Sequence, residues 1–271
     1  MRRYSVRHAP AAAGALLLFL LVVVAAANTD GGPLDAWRLA QDTWVGALLQ
    51  GPGPRNAPGD VRGGRGPQAA PGPLRGVHVV VDPGHGGRDR GACHFPSALI
   101  EKEINLDMAF RLEAALLAAG ATVSLTRRND TFLALDERAQ LANERGAHLF
   151  ISLHVNRYPS PECFGAQTFY WPDSEESRRL ALLIQEELLP LYPPNYRQAL
   201  PGDYRVLRAT HMPAALVEIG FVTSPVDREL IARDDYRDQV AAAIAAACIR
   251  FMRGGSPRRG GRRGRGALAG K

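Results

Sequence analysis

VVVDPGHGG, residues 79–87, decides how this chain is read. A run of valines suits a strand buried on both faces, where no alternation with polar residues is needed. Asp82 and Pro83 then end it, because proline has no amide hydrogen to offer a neighbouring strand. His85 follows among glycines, with little side chain around it. Either this is a tight turn with an incidental histidine, or the glycines clear space around a working imidazole.

Outward from that strand, apolar runs alternate with helical patterns. Val77–Val81 is the first expected strand. Leu99–Ala119 reads as a helix: Ile100, Ile104, Met108, Leu112 and Leu116 recur every four residues, and Gly120 stops it. Further strands are expected at Thr122–Thr126, Leu149–Val155, Gln167–Trp171, Tyr204–Leu207 and Ala214–Ile219. Further helices are expected at Leu135–Arg145, Glu175–Leu189, Pro225–Ala232 and Asp235–Met252. This alternation predicts an α/β three-layer sandwich, a mostly parallel sheet flanked by helices.

The ends differ from the middle. The 271 residues carry 33 Lys+Arg against 27 Asp+Glu, a net charge of +6. Ten of those bases lie in Arg2, Arg3, Arg7 and the stretch Arg253–Lys271, so the middle is mildly acidic. The basic balance therefore gives no ground for a nucleic-acid groove. Residues 1–30 read as an export segment: three arginines, an apolar run from Ala9 to Ala27, and small residues at Ala25 and Ala27. A cleaved signal peptide and a retained membrane anchor both fit. Residues 31–75 are rich in Gly, Pro and Arg and read as a linker. The globular domain is expected over residues 76–252, and residues 253–271 as a disordered basic tail. Cys93, Cys163 and Cys248 form no framework; a Cys93–Cys163 bridge is one arrangement open to them, and Cys248 suits a helix core.

In a sheet of this kind, sites collect at the carboxyl ends of the strands. His85 follows the first strand, His154 closes ISLHVN, and Glu218 closes ALVEIGF. Each would be costly to bury without a partner. Glu101, in the first turn of the long helix, shares a face with Ile104, Asn105, Met108 and Leu112 and points inward, whereas Glu103 points to water. Two histidines and an inward carboxylate match a catalytic zinc site with one position left for water, and a second carboxylate suits a general base. Blander readings stand beside this one. A strand-end histidine can be structural, Glu101 can complement the helix N-terminus, Glu218 can pair with Arg205 or Arg208, and GHGG can be an anion-binding nest. Asn156 faces the same side of its strand as His154 and is a candidate for binding substrate or a group that supports a ligand. Asp82 is a candidate acceptor for a ligand histidine, the alternative being that it only shapes the turn.

VVVDPGHGGRDRGA, IEKEINLDMAFRL, LFISLHVN and PAALVEIGFVTSP, in that order, resemble the zinc-dependent N-acetylmuramoyl-L-alanine amidases of the broad amidase-3 family. The likeness spans Val77 to Met252. It implies one Zn2+ held by His85, Glu101 and His154, with Glu218 catalytic. It further implies peptidoglycan as substrate, cut at the amide between the lactyl group of muramic acid and L-alanine. GAQTFYW and the N-terminal segment are most similar to the spore-cortex type. That type implies action outside the cytoplasmic membrane, in the cell wall or forespore envelope, and an accessory lipoprotein partner, with membrane anchoring through the N-terminal segment where that is retained. One departure is the loop RDRGACHFPSALI, which places Cys93 and His94 near the expected metal. The rival functions are a zinc amidohydrolase or peptidase on another exported substrate, and a non-catalytic wall-binding regulator.

Overall fold

A computed structural model describes residues 72–191 and 195–257. The expected export segment, nearly all of the linker and residues 258–271 of the tail lie outside them. Among the described residues no helix is long and apolar enough to cross a membrane.

One six-stranded sheet organises the domain. Its strands are β1 (His78–Pro83), β4 (Thr122–Leu125), β5 (Leu149–Asn156), β6 (Gln167–Tyr170), β7 (Leu200–Pro201) and β8 (Ala214–Phe221), in the order β4-β1-β5-β8-β6-β7. The first four in that order run parallel, β6 is antiparallel to β8, and β7 is parallel to β6. The helices are α1 (Glu101–Ala118), α2 (Leu135–Glu144), α3 (Glu175–Leu188), α4 (Arg205–Arg208), α5 (Pro225–Ile231) and α6 (Asp234–Met252).

The valine run is buried on both faces, as the sequence requires. Val79 and Val81 enter a core built with α1, α3 and α6, while Val80 enters a second core with Ala142 of α2 and Val206 and Leu207 of α4. Side chains alternate across a strand, so adjacent valines serve opposite helix layers. Alanine-rich α6 packs closely against α1 and α3, and Cys248 is fully buried there. All three cysteines are free, so the Cys93–Cys163 bridge is not formed.

Three local expectations change. Tyr204–Leu207 is not a strand: Arg205–Arg208 forms one helical turn, with Leu207 N and Arg208 N donating to Tyr204 O. A four-residue segment is too short for its pattern to distinguish the two states, and local bonds win here. The edge strand is instead Leu200–Pro201, where proline costs the ladder little. The long helix begins at Glu101, not Leu99, because Leu99–Ile100 (β3) pairs with Cys93–His94 (β2) in a small hairpin. The domain also begins earlier than residue 76, since Leu74 is fully buried and its amide donates to Ala119 O. At the other end the chain is still held at Gly255, whose carbonyl accepts from Arg179.

Candidate metal centre and catalytic cleft

The two-residue period of the strands sets the site. Val80, Phe150 and Leu216 face the α2–α4 layer, so Asp82, Ser152, His154 and Glu218 face it too. His154 and Glu218 are partners in register at the carboxyl ends of β5 and β8. His85 projects from the turn after β1, and Glu101 is the first residue of α1. The four sequence-selected residues thus meet at one edge of the sheet.

Glu101 is 4 % exposed and gathers donors. Its Oε1 lies 3.0 Å from His85 Nε2 and 2.9 Å from His154 Nδ1, and accepts from Val155 N at 3.0 Å. Its Oε2 accepts from Ala92 N at 2.6 Å. One ligand atom from each of His85, Glu101 and His154 lies within 4.8 Å of the others. Burial alone would raise the Glu101 carboxyl, but hydrogen bonds from His154 and His85 outweigh it and hold the group well below the usual range. Burial alone would lower His85, but Glu101 and Asp89 outweigh it and raise the imidazole. A buried carboxylate whose charge is kept by two imidazoles is the donor set a divalent cation can take over, displacing the imidazole protons.

Glycine makes room for this approach. A Cβ on Gly84 would stand 2.2 Å from His154 Cε1, and one on Gly91 would stand 2.4 Å from Glu101 Oε2. Gly84→Ala is therefore expected to push the His154 ring aside and lower both metal content and activity. The activity loss expected is about 100-fold, the scale of an ångström-sized misplacement. Metal analysis of the dialysed variant, beside its turnover, checks this; full metal content with parental turnover would refute it.

Glu218 differs from Glu101. It is buried, and its Oε2 has no hydrogen-bond partner among the described residues. Burial pushes its pKa well above the ordinary value, and the Glu101 charge adds to the shift. It opens on a cleft of about 430 Å³ that His85 and His154 also line. Leu133, Val206 and Leu216 give the cleft apolar walls, and Tyr204 lines it as well.

The blander readings meet specific contacts. Arg205 pairs with Asp136 and Arg208 with Asp203, so neither neutralises Glu218. The glycine amides of GHGG are committed within the protein: Gly84 N to Leu153 O, Gly86 N to Asp89 O and Gly87 N to Asp130 Oδ1. Cys93 Sγ donates to Gly91 O, His94 Nδ1 bonds Ser97 Oγ, and neither residue belongs to the metal-compatible cluster.

One supporting contact read from the sequence is corrected. Asp82 does not bond a histidine: its oxygens accept from Thr126 Oγ1, Ser152 Oγ and Arg138 Nη1. Asp89 takes that place, 2.8 Å from His85 Nδ1. It lies in the turn, four residues after His85, where no periodicity marks it. Asn156 Oδ1 accepts from Arg157 N, and the residue is not among those lining the cleft. The β-bulge at this end places its extra residue on β8, between Glu218 and Phe221, so Asn156 keeps the face of His154 along β5.

A mixed α/β sheet with a His–Glu–His cluster and a separate buried carboxylate at its carboxyl edge defines a hydrolase-type catalytic domain. Residues 79–250 match the Amidase_3 family, described as N-acetylmuramoyl-L-alanine amidase, and the chain belongs to that family. It is 37 % identical over 193 residues to the germination-specific N-acetylmuramoyl-L-alanine amidase of Bacillus subtilis, covering 65 % of this chain and 80 % of that one. The CwlD amidase of Clostridioides difficile, solved in complex with the GerS lipoprotein, superposes with a TM-score of 0.63 at 29 % identity, covering 65 % of this chain and 98 % of that one. The catalytic domain of the amidase CwlV from Bacillus (Paenibacillus) polymyxa gives a TM-score of 0.61 at 31 % identity, with 65 % and 98 % covered. The activity is hydrolysis of the amide joining N-acetylmuramic acid to L-alanine in peptidoglycan.

Proposed function

We propose that the enzyme is zinc-dependent, with His85, Glu101 and His154 as the ligands of one Zn2+ and Glu218 as the catalytic acid–base. The observation that carries this is the convergence of two imidazole nitrogens and a carboxylate oxygen within 4.8 Å, next to a cleft that Glu218 shares. Zinc, when bound, supplies Lewis acidity that lowers the pKa of water and polarises the scissile carbonyl.

The chain's own groups do the rest. Glu218 takes a proton from the attacking water, whose oxygen bonds to the lactyl carbonyl carbon. It returns that proton to the alanine nitrogen as the C–N bond breaks, leaving a free lactyl acid and a free amine. A raised pKa suits both halves of that exchange. Asp89 holds His85 from its outer nitrogen and fixes which nitrogen faces the cluster. The apolar walls limit access of bulk water.

The site of action proposed is outside the cytoplasmic membrane, in the cell wall or spore cortex. The support is the apolar segment Ala9–Ala27 behind three arginines and the likeness to a germination-specific amidase. An accessory lipoprotein is proposed as a partner, on the likeness to CwlD with GerS. Digestion of purified peptidoglycan, scored for newly freed L-alanine amino termini, tests the zinc assignment. Activity should vanish with chelator and return with added zinc. Turnover that survives full chelation would overturn it.

A further inference from the structure

The turn that carries His85 is gripped by two buried guanidinium groups. Arg138 on α2 is 2 % exposed and Arg127, after β4, is 4 % exposed. Arg138 Nη1 donates to Pro83 O at 2.9 Å and to Asp82 Oδ1 at 2.9 Å, and Nη2 donates to His85 O at 2.8 Å. Arg127 Nε donates to Pro83 O at 2.9 Å, while Nη2 donates to Gly84 O at 2.9 Å and to Lys102 O at 2.8 Å. Three successive carbonyls, of Pro83, Gly84 and His85, are thus captured by side chains from two other segments. The bond to Lys102 O ties the same guanidinium to the first turn of α1, beside Glu101.

Stability alone gives little reason for this arrangement. A buried arginine ordinarily has a carboxylate to match it, and a well-packed apolar replacement is often at least as stable. Asp82 serves Arg138, but among the described residues no carboxylate bonds Arg127; its bonds go to backbone carbonyls, Asn129 O included. What the two groups hold is unusual backbone. His85 has a φ of 62°, in the left-handed region that residues with a Cβ rarely occupy. Such a conformation persists only where its surroundings over-determine it. A guanidinium fork meets two or three carbonyls at fixed angles, which a lysine ammonium does not. Holding the His85 backbone also holds the origin of its ring, whose Nε2 lies 3.0 Å from Glu101 Oε1.

We infer that Arg138 and Arg127 are positioning residues that set the metal affinity of the His85–Glu101–His154 cluster by fixing the backbone of the His85 turn. Asp82 acts at one remove, by orienting Arg138. The inference rests on the proposal that this cluster holds zinc.

The test uses the full chain with Arg138→Lys and, separately, Arg127→Lys. Zinc affinity is measured by competition with a chromophoric chelator, and the visible absorption of the cobalt(II)-loaded protein reports ligand geometry. Arg111→Lys is the control: Arg111 sits in an ion-pair network with Asp107, Asp234 and Asp238, away from the site. Each site variant should fold and show a zinc dissociation constant raised about 10–100-fold, the range for outer partners of metal ligands, with an altered cobalt spectrum. The control should change neither. Site variants that match the parent in affinity and spectrum overturn the inference, even if their melting temperatures fall. If neither site variant folds, the guanidinium groups hold the fold and not the site, and the inference falls as well. A parent that binds no zinc sinks the underlying metal assignment instead, which separates the two failures.

Discussion

Glu218→Gln is expected to lower kcat by about 1,000-fold, within the range for removing a general acid–base group, while leaving zinc content at the parental level. The substitution keeps the volume of a buried side chain in the middle of β8's packed end, so the strand has no steric reason to move. It also replaces a carboxyl whose Oε2 lacks a partner with a neutral amide, so no existing hydrogen bond there is lost. Only the proton-transfer capacity goes. Single-turnover digestion of peptidoglycan with metal analysis of the same sample separates the outcomes. Parental turnover would remove Glu218 from the reaction, and loss of zinc would make it a ligand instead.

Glu101→Ala should have the widest effect of any single change. It removes one of the three proposed ligands, so zinc affinity should fall by more than the roughly 10–100-fold expected for an outer partner. It also strands Ala92 N and Val155 N, which donate to the two carboxylate oxygens. A buried donor left unpaired costs about 1–3 kcal/mol, so the melting temperature of the metal-free protein should drop as well. Glu101→Gln separates the two effects in part, since its single amide oxygen still accepts from one of the two backbone donors while the charge is gone. Isothermal titration with zinc and thermal melts of both variants check this. Glu101→Ala that keeps parental zinc affinity would exclude Glu101 as a ligand.

These two carboxylates were found in the sequence for different reasons. Glu218 stood out because a charged residue at the end of an apolar strand demands an explanation. Glu101 stood out because helical spacing put it, and not Glu103, on the buried face. Helical periodicity is a property of the chain, and the fold honours it: Glu101 is buried and Glu103 exposed. Tyr204–Leu207 is too short to show a period, and Arg205–Arg208 forms a helical turn there instead of a strand. Cys93 and His94 drew notice for their chemistry, yet the β2–β3 hairpin commits both side chains to nearby groups.

The sequence by itself determined the alternation of strands and helices, the two-sided burial of VVV, and the four residues at the strand and helix ends. Each of these follows from local pattern and from the cost of burying charge. Only the tertiary structure decided what supports them: Asp89 and not Asp82 on His85, Arg127 and Arg138 beneath the turn, and Tyr204 at the start of a helical turn, lining the cleft. Those partners come from segments up to 56 residues apart and meet a backbone in a left-handed conformation, so no spacing along the chain announces them. Periodicity reports which face a side chain takes. It does not report which distant carbonyl or imidazole that face will meet.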